Sequence, residues 1–249
     1  MKEIEEKIVA WIKKQVKDAG CKGIVIGLSG GIDSSVVAAL SKKAFPNKVQ
    51  GVIMPCISNP ADKKHAELVA EKLDIPYEVV DLEKSFKTMV KSLTGEEYDK
   101  EKHKGLSFAN IKPRLRMIAL YYFANKYNYL VAGTDNKSES MIGYFTKYGD
   151  GGVDILPIAS LYKRDVRKLA KHLGIPDEII NKKPSAGLWH GQTDEEEMGI
   201  SYDELDEILE CIETGKDLSG FDKEKVDKVK KMIKNTQHKR CMPPECDLK

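Results

Sequence analysis

A chain of 249 residues, 41% hydrophobic and 32% charged, is long enough to bury a sizeable core and too balanced for a disordered or fibrous protein. Its formal net charge of +2 spreads no field that would gather a nucleic acid, so any basic site is local. Five scattered cysteines argue against a disulfide framework. The charged opening MKEIEEKIVAWIKK and the lack of any run near the ~20 apolar residues of a membrane span predict a soluble, cytoplasmic protein with no membrane partner.

Ile4, Ile8, Trp11 and Ile12 recur at helical spacing and predict an amphipathic helix over 2–18. GIVIGLS (23–29) reads as a buried strand, followed by GGIDSS and the helical SSVVAALSKKAF. Strands are predicted at 48–55 and 77–81, with a helix over 60–74 between them. Residues 82–105 are polar and undecided. A long helix is expected from Phe108 to Tyr127, with Pro113 tolerable only near its first turn. Its latter half, MIALYYFANKY, is apolar almost all round and needs cover on more than one side, in the interior or at a subunit interface.

YLVAGT (129–134) reads as another buried strand, YGDGG (148–152) as a glycine-rich loop and VDILPIA (153–159) as strand-like. A helix is predicted near 162–173, then a long loop over 182–199. Ser201 with Glu204 forms a capping box that opens the helix YDELDEILECIE, and a last helix spans roughly 222–236. The alternation of strand and helix predicts an α/β fold: an open parallel sheet with helices on both faces. The whole chain, 1–249, reads as one domain, with 200–249 a short helical C-terminal extension.

The chemistry is concentrated in Ser29-Gly30-Gly31-Ile32-Asp33-Ser34-Ser35, between an apolar strand and a helix. Paired glycines let the backbone turn tightly and remove the Cβ atoms that would keep an anion away. Backbone N–H groups and the helix N-terminus then face the ligand, and the hydroxyls of Ser29, Ser34 and Ser35 add neutral donors. The kinase-type pattern G-x-x-x-x-G-K-[ST] and the fingerprint G-x-G-x-x-G are both absent here. Asp33 stands where such a loop would offer lysine. A carboxylate beside phosphates needs a cation between them, which implies Mg2+. The plainer alternative is that Asp33 and Ser34 cap the helix.

This motif resembles the SGGxDS signature of the PP-loop ATP pyrophosphatases, whose fold is the adenine-nucleotide α-hydrolase-like sheet. The resemblance is closest to ammonia-dependent NAD synthetase, through GTDNKSES (133–140), GYFTKYGDGGVDILPIASLYKRDVRKLA (143–170), KPSAGLWHGQTDEEEMGISYDELD (183–206) and HKR (238–240). It implies that the loop grips a departing pyrophosphate, that the product is an adenylate, and that ammonia then displaces AMP. ATP would be bound by Gly27, Leu28, Ser29, Gly30, Gly31, Ile32, Asp33, Ser34, Thr134, Lys163 and Ser185. Asp33 and Glu139 would hold the magnesium, with Asp33 and Lys163 as the catalytic pair. Arg114, Lys147, Asp154, His238 and Lys239 would take deamido-NAD. A homodimer follows from the same resemblance. One PP-loop domain occupies this length, so no glutaminase domain is expected, and free or delivered ammonia is the nitrogen source.

Several of these positions have duller readings. Asn136 and Glu139 could simply form a capping box. Lys163 and Arg164 open a helix, where cations oppose the macrodipole unless an anion is close, although Asp165 could relieve them. Trp189 and His190 could stack on a base or anchor a loop; His65, His103 and His172 read as structural. Cys241 and Cys246 could be half of a metal site but read as thiols in a tail. Two rival functions remain: a PP-loop enzyme that modifies tRNA, and a non-catalytic ATP-binding regulatory module.

Overall fold

The computed structural model describes residues 1–189 and 191–247. Helix α1 (Lys2–Asp18) buries Ile8, Ile12 and Val16, spaced one helical turn apart, in the largest apolar cluster. Strand β1 (Ile24–Gly27) leads into α2 (Ile32–Ala44), then β2 (Val49–Ile53), α3 (Pro60–Lys72) and β3 (Tyr77–Val79). After α4 (Glu83–Thr94), α5 (Leu106–Ala109) and α6 (Ile111–Tyr127) the chain returns as β4 (Leu130–Ala132). The remaining elements are α7 (Lys137–Ile142), α8 (Lys163–His172), α9 (Asp177–Ile180), α10 (Asp194–Met198), α11 (Tyr202–Thr214) and α12 (Lys223–Asn235).

The four strands pair in parallel in the order β3-β2-β1-β4. Side chains alternate across β1. Ile24, Ile26 and Leu28 pack with α1, α2, α3 and α8, whereas Val25 joins Val52, Val131 and Phe123 beneath α4 and α6. The sheet is therefore covered on both faces, as predicted. A third apolar cluster, built on Tyr202, Leu205, Ile208 and Leu209 of α11 and Val226 and Val229 of α12, packs with Ile142 of α7. From β1 the chain runs outward to β2 and β3 and then crosses back to β4 on the other side of β1, so the strand order reverses there and a crevice opens beyond the carboxyl ends of β1 and β4. Open α/β sheets bind ligands at that point.

The structure corrects three local expectations and fills in one undecided stretch. The strand-like stretch 153–159 forms only a bridge, Ile155 to Ala132. Extending that ladder would need an N–H two residues on, and Pro157 has none. The helix expected from Phe108 restarts at Ile111, because Pro113 cannot donate to Ala109 and fits only within a first turn. Within the undecided 82–105, Leu82, Phe86 and Val90 are buried at helical spacing around α4, which Gly95 ends at φ 77°. The loop over 182–199 ends in α10, where the Thr193 side chain caps the Glu196 amide.

The long helix α6 buries Phe123 and Ala124 on the sheet but leaves Ile118 60% and Tyr122 62% exposed. Among the described residues no helix is long and apolar enough to cross a membrane. His65 Nε2 lies 3.9 Å from Glu178, His103 Nδ1 accepts the Asp99 amide at 3.0 Å, and His172 Nε2 meets Glu5 at 2.9 Å. His190 lies outside the described residues. Cys241 and Cys246 are exposed free thiols.

Candidate active site

The turn after β1 is built around Gly30, at φ +70°, where a Cβ would lie 2.5 Å from the Asp62 carbonyl and 2.7 Å from His65 Cβ. Only glycine allows α3 to approach so closely. Gly31 is the N-cap of α2 and no side chain caps that helix, so Asp33 is free of the capping role it could have had. The hydroxyls of Ser29 and Ser34 lie 2.9 Å apart, and Ser29 Oγ accepts the Gly31 N–H at 3.2 Å. Ser34 and Ser35 both donate to the Gly31 carbonyl, at 3.0 and 2.7 Å. Ser35 is thus fully buried and holds the turn's shape, rather than offering a donor to a ligand. The first-turn amides of Ile32, Asp33 and Ser34 have no intrahelical acceptor and border the cavity.

Across the crevice, α7 and α8 complete a charged centre. Lys163 Nζ donates to Asp33 Oδ2 at 2.6 Å and to Glu139 Oε1 at 3.0 Å, with only 2% of its side chain exposed. Asn136 Nδ2 donates to Asp33 Oδ1 at 3.0 Å. Glu139 serves two purposes at once: Oε2 accepts the Asn136 amide and closes a capping box on α7, while Oε1 faces Lys163 and the Tyr202 hydroxyl at 2.8 Å. The cap and the charged role are therefore not rivals. Tyr202 also meets Asp194 Oδ2 at 3.0 Å.

Burial alone would lower the Lys163 pKa, but the Asp33 and Glu139 carboxylates more than offset it, so the ammonium keeps its charge. Burial raises the Glu139 pKa against the pull of Lys163. Asp135 is pushed well above the usual carboxylate range by burial, then by the carboxylates of Asp150, Glu139 and Asp33.

The awkward cations at the start of α8 find their anions here. The Lys163 amide donates to Ser138 Oγ at 3.0 Å and the Arg164 amide to Asp206 Oδ2 at 2.9 Å, with Ser138 in turn bonded to Asp206. Asp206, fully buried, supplies the negative charge that a helix N-terminus favours. The Arg164 guanidinium pairs with Glu210, not with Asp165.

These groups wall a cavity of about 430 Å³. Its far end is apolar, formed by Met54, Met117, Leu120 and Val153 beside Gly27. Residues 182–188 roof it: Lys182 Nζ reaches Asp62 Oδ1 at 2.8 Å and the Gly30 carbonyl at 3.2 Å. Of the residues expected to bind ATP, Gly27, Leu28, Ser29, Gly31, Ile32, Asp33, Ser34, Thr134, Lys163 and Ser185 line the cavity, as does Glu139. Gly30 stands behind them as support.

The residues expected at deamido-NAD divide differently. Lys239 lines the cavity, its Nζ donating to the carbonyls of Gly143 and Phe145, both at 2.8 Å. Arg114, Lys147 and His238 come together outside it: Arg114 Nη2 donates to the Lys147 carbonyl at 3.4 Å and Lys147 Nζ to the His238 carbonyl at 2.7 Å. Asp154 stands apart, accepting from Tyr121 at 2.9 Å and from the Val131 amide at 2.7 Å. Asn136 as a partner of Asp33, together with Tyr202, Asp194, Asp135 and Lys182, belongs to the site without being among the residues the sequence singles out. No local pattern marks Asn136, Tyr202 or Lys182 for these contacts, because Asp33, Glu139 and Asp62 lie 103, 63 and 120 residues away along the chain.

A hard divalent cation suits this donor set. Two carboxylates already converge on one cation at the mouth of the phosphate turn, leaving further ligand positions to phosphate oxygens and water, which is how Mg2+ is usually held. Among the described residues no group of three His, Cys, Asp or Glu could enclose a metal without such help.

A model of the NAD synthase family matches residues 4–243. The NH3-dependent NAD+ synthetase of Carboxydothermus hydrogenoformans is 50% identical over 242 residues, covering 97% of this chain and 96% of its own. Among solved structures, NMN synthetase from Francisella tularensis matches with a TM-score of 0.90 at 35% identity, over 99% of this chain and 98% of that one. The NH3-dependent NAD synthetase from Campylobacter jejuni, in complex with the nitrate ion, matches with a TM-score of 0.83 at 32% identity and 99% coverage of both chains.

Proposed function

The chain belongs to the NAD synthase family, and on that premise we propose how it makes NAD from deamido-NAD and ammonia: by adenylating the nicotinate carboxylate with ATP. The observation that carries this reading is the Asp33–Lys163–Glu139 centre at the mouth of the phosphate turn. A carboxylate does not exchange oxygen for ammonia at neutral pH, since oxide is a very poor leaving group. The carboxylate oxygen therefore attacks the α-phosphorus, the bond to the bridging oxygen breaks and pyrophosphate departs. Ammonia then adds to the acyl carbon, AMP leaves with the former carboxylate oxygen, and the surplus proton passes to solvent.

In this scheme the amides of Ile32, Asp33 and Ser34 hold the pyrophosphate, and Lys163 shares the charge that grows on it. Asp33 and Glu139 would hold Mg2+, which would neutralise that same charge. Asn136 and Tyr202 fix the two carboxylates in place, as partners of metal ligands commonly do. Gly27, Leu28 and the apolar end receive the adenine nucleoside, with Thr134 and Ser185 adding hydroxyls. Arg114, Lys147, Asp154, His238 and Lys239 take the dinucleotide beside the open face of α6. Ile118 and Tyr122 on that face are suited to cover by a second copy, so the working form is a homodimer in which the whole chain acts as one unit. Free thiols suit the cytoplasm.

The likeness to an NMN synthetase favours one second reading, in which the mononucleotide is the substrate. A panel settles the choice: pyrophosphate and AMP are followed with Mg-ATP, ammonium and either deamido-NAD, nicotinate mononucleotide or tRNA. The proposal expects turnover with deamido-NAD far above the others. Preference for the mononucleotide moves the substrate assignment, release only with RNA supports a tRNA-modifying enzyme, and binding without turnover supports a regulatory module.

A further inference from the structure

Away from the charged centre, one buried ammonium has no carboxylate to answer it. Lys112, on the first turn of α6, is only 5% exposed. Its Nζ donates to the Leu188 carbonyl at 2.6 Å and sits 5.4 Å above the centre of the Phe86 ring. No other hydrogen bond or ion pair reaches it among the described residues. Burial lowers its pKa, as expected of a cation held by one carbonyl and a ring face.

Leu188 belongs to the roof. Among the described residues that segment has no regular structure before α10, and few bonds hold it down. Lys182 ties its start to Asp62 and the Gly30 carbonyl, the Ala186 N–H donates to Asp194 Oδ1 at 2.9 Å and the Pro184 carbonyl accepts the Asp194 amide at 3.1 Å. The Leu188 amide donates to Gln192 Oε1, in the same connection to α10, at 2.7 Å. The Leu188 carbonyl is therefore the point where the roof is fastened to α6, across the cavity from Lys182. A bond from an ammonium to a carbonyl in a dry site is roughly twice as strong as a neutral one.

We propose that Lys112 is a latch: it holds residues 183–189 closed over the activated substrate and so sets how often the adenylate meets water instead of ammonia. Lys112 does not line the cavity, so it is a positioning residue. The reading rests on the adenylate mechanism above. When the roof lifts, water adds to the acyl carbon, AMP leaves, both protons of that water go to solvent and the carboxylate of deamido-NAD is regenerated. ATP is then spent without NAD being formed.

The test uses the full-length protein with Lys112→Met, which keeps the stem on Phe86 and removes the donor, and Lys112→Arg, which restores it. Pyrophosphate released per NAD formed is measured over a range of ammonium concentrations, and backbone hydrogen exchange is followed in residues 185–189. The parent should stay near one pyrophosphate per NAD. The methionine variant should exceed it severalfold at low ammonium and return toward one as ammonium rises, because ammonia and water compete. Exchange in the roof should quicken about tenfold, the loss expected for one charge-assisted bond, while the melting temperature holds and arginine reverses both effects.

Unchanged exchange overturns the latch, and faster exchange with a ratio fixed at one overturns its role in excluding water. A parent that releases no pyrophosphate with deamido-NAD defeats the adenylate reading instead. The exchange measurement then judges the latch alone.

Discussion

Replacing Lys163 by methionine keeps the volume of the side chain and deletes the one cation between Asp33 and Glu139. The two carboxylates, 17% and 12% exposed, then face one another in a poorly solvated site, with Asn136 and Tyr202 still bonded to them. Breaking a buried pair in this way costs about 3–5 kcal/mol, since the remaining charge is left uncompensated. For a chain of this size that is a fall of roughly 6–20 °C in melting temperature. Protonation of Glu139 offers a partial escape, because burial already raises its pKa. The deficit should therefore shrink as the pH falls through that raised value and grow in mildly alkaline buffer, where both groups are charged.

Mg2+ with ATP should restore more stability to the variant than to the parent, by supplying the missing positive charge. Turnover should fall about 10²–10³-fold, the loss typical when one preorganised donor to developing charge is removed. Unfolding is followed by circular dichroism at several pH values with and without Mg-ATP, and turnover by pyrophosphate release. A variant within about 1 kcal/mol of the parent, or with turnover within about threefold of it, would refute the assignment of Lys163 to both tasks.

Tyr202→Phe removes a hydroxyl shared by Glu139 and the buried Asp194; denaturant titration should show a loss of about 1–3 kcal/mol. The Mg2+ concentration for half-maximal activity should rise roughly tenfold, as for other partners of metal ligands, and an unchanged value would separate Tyr202 from the metal. Gly30→Ala forces φ +70° on a residue with a Cβ and drives that atom against Asp62; calorimetry should show ATP affinity lost and about 2 kcal/mol or more of stability gone. Normal melting with normal affinity would contradict the close approach. Lys147→Ala should raise the KM for deamido-NAD roughly fivefold, the worth of one exposed charge, and leave that for ATP almost unchanged. Equal effects on both would place Lys147 elsewhere.

Short-range pattern encodes the part of the site that is legible in the sequence. The strand, paired glycines and helix of 23–44 announce a phosphate-binding turn, and Asp33 points to a cation beside it, although only the structure, with Gly31 as the N-cap, sets aside its reading as a helix cap. The misfit of Lys163 and Arg164 at a helix start is also legible, though its resolution is not. Asp206 and Glu210 lie in a different helix, and only the packing of α11 against α8 brings them near. Tyr202 escapes for the same reason, being 63 residues from Glu139.

Pattern also overreaches where one atom decides the outcome. VDILPIA alternates like a strand, yet the missing N–H of Pro157 limits it to a bridge. Conversely, α4 is hidden by the charged residues between Leu82, Phe86 and Val90, although its apolar spacing is regular. At Glu139 two readings look exclusive only while a carboxylate is counted as one group; its two oxygens take one role each. Arg114 and His238 carry no local signal and enter through resemblance alone, yet they gather with Lys147, which flanks the glycine-rich loop, at one place beside α6.

The mechanism stands on the substrate carboxylate attacking the α-phosphorus. Deamido-NAD labelled with the heavy oxygen isotope in its nicotinate carboxylate, turned over with Mg-ATP and ammonium, reports this directly in the mass spectrum of the products. One label should appear in AMP, one should remain in the amide of NAD, and none should enter pyrophosphate. Label in pyrophosphate or inorganic phosphate, or unlabelled AMP formed in step with NAD, would contradict adenylation at this turn.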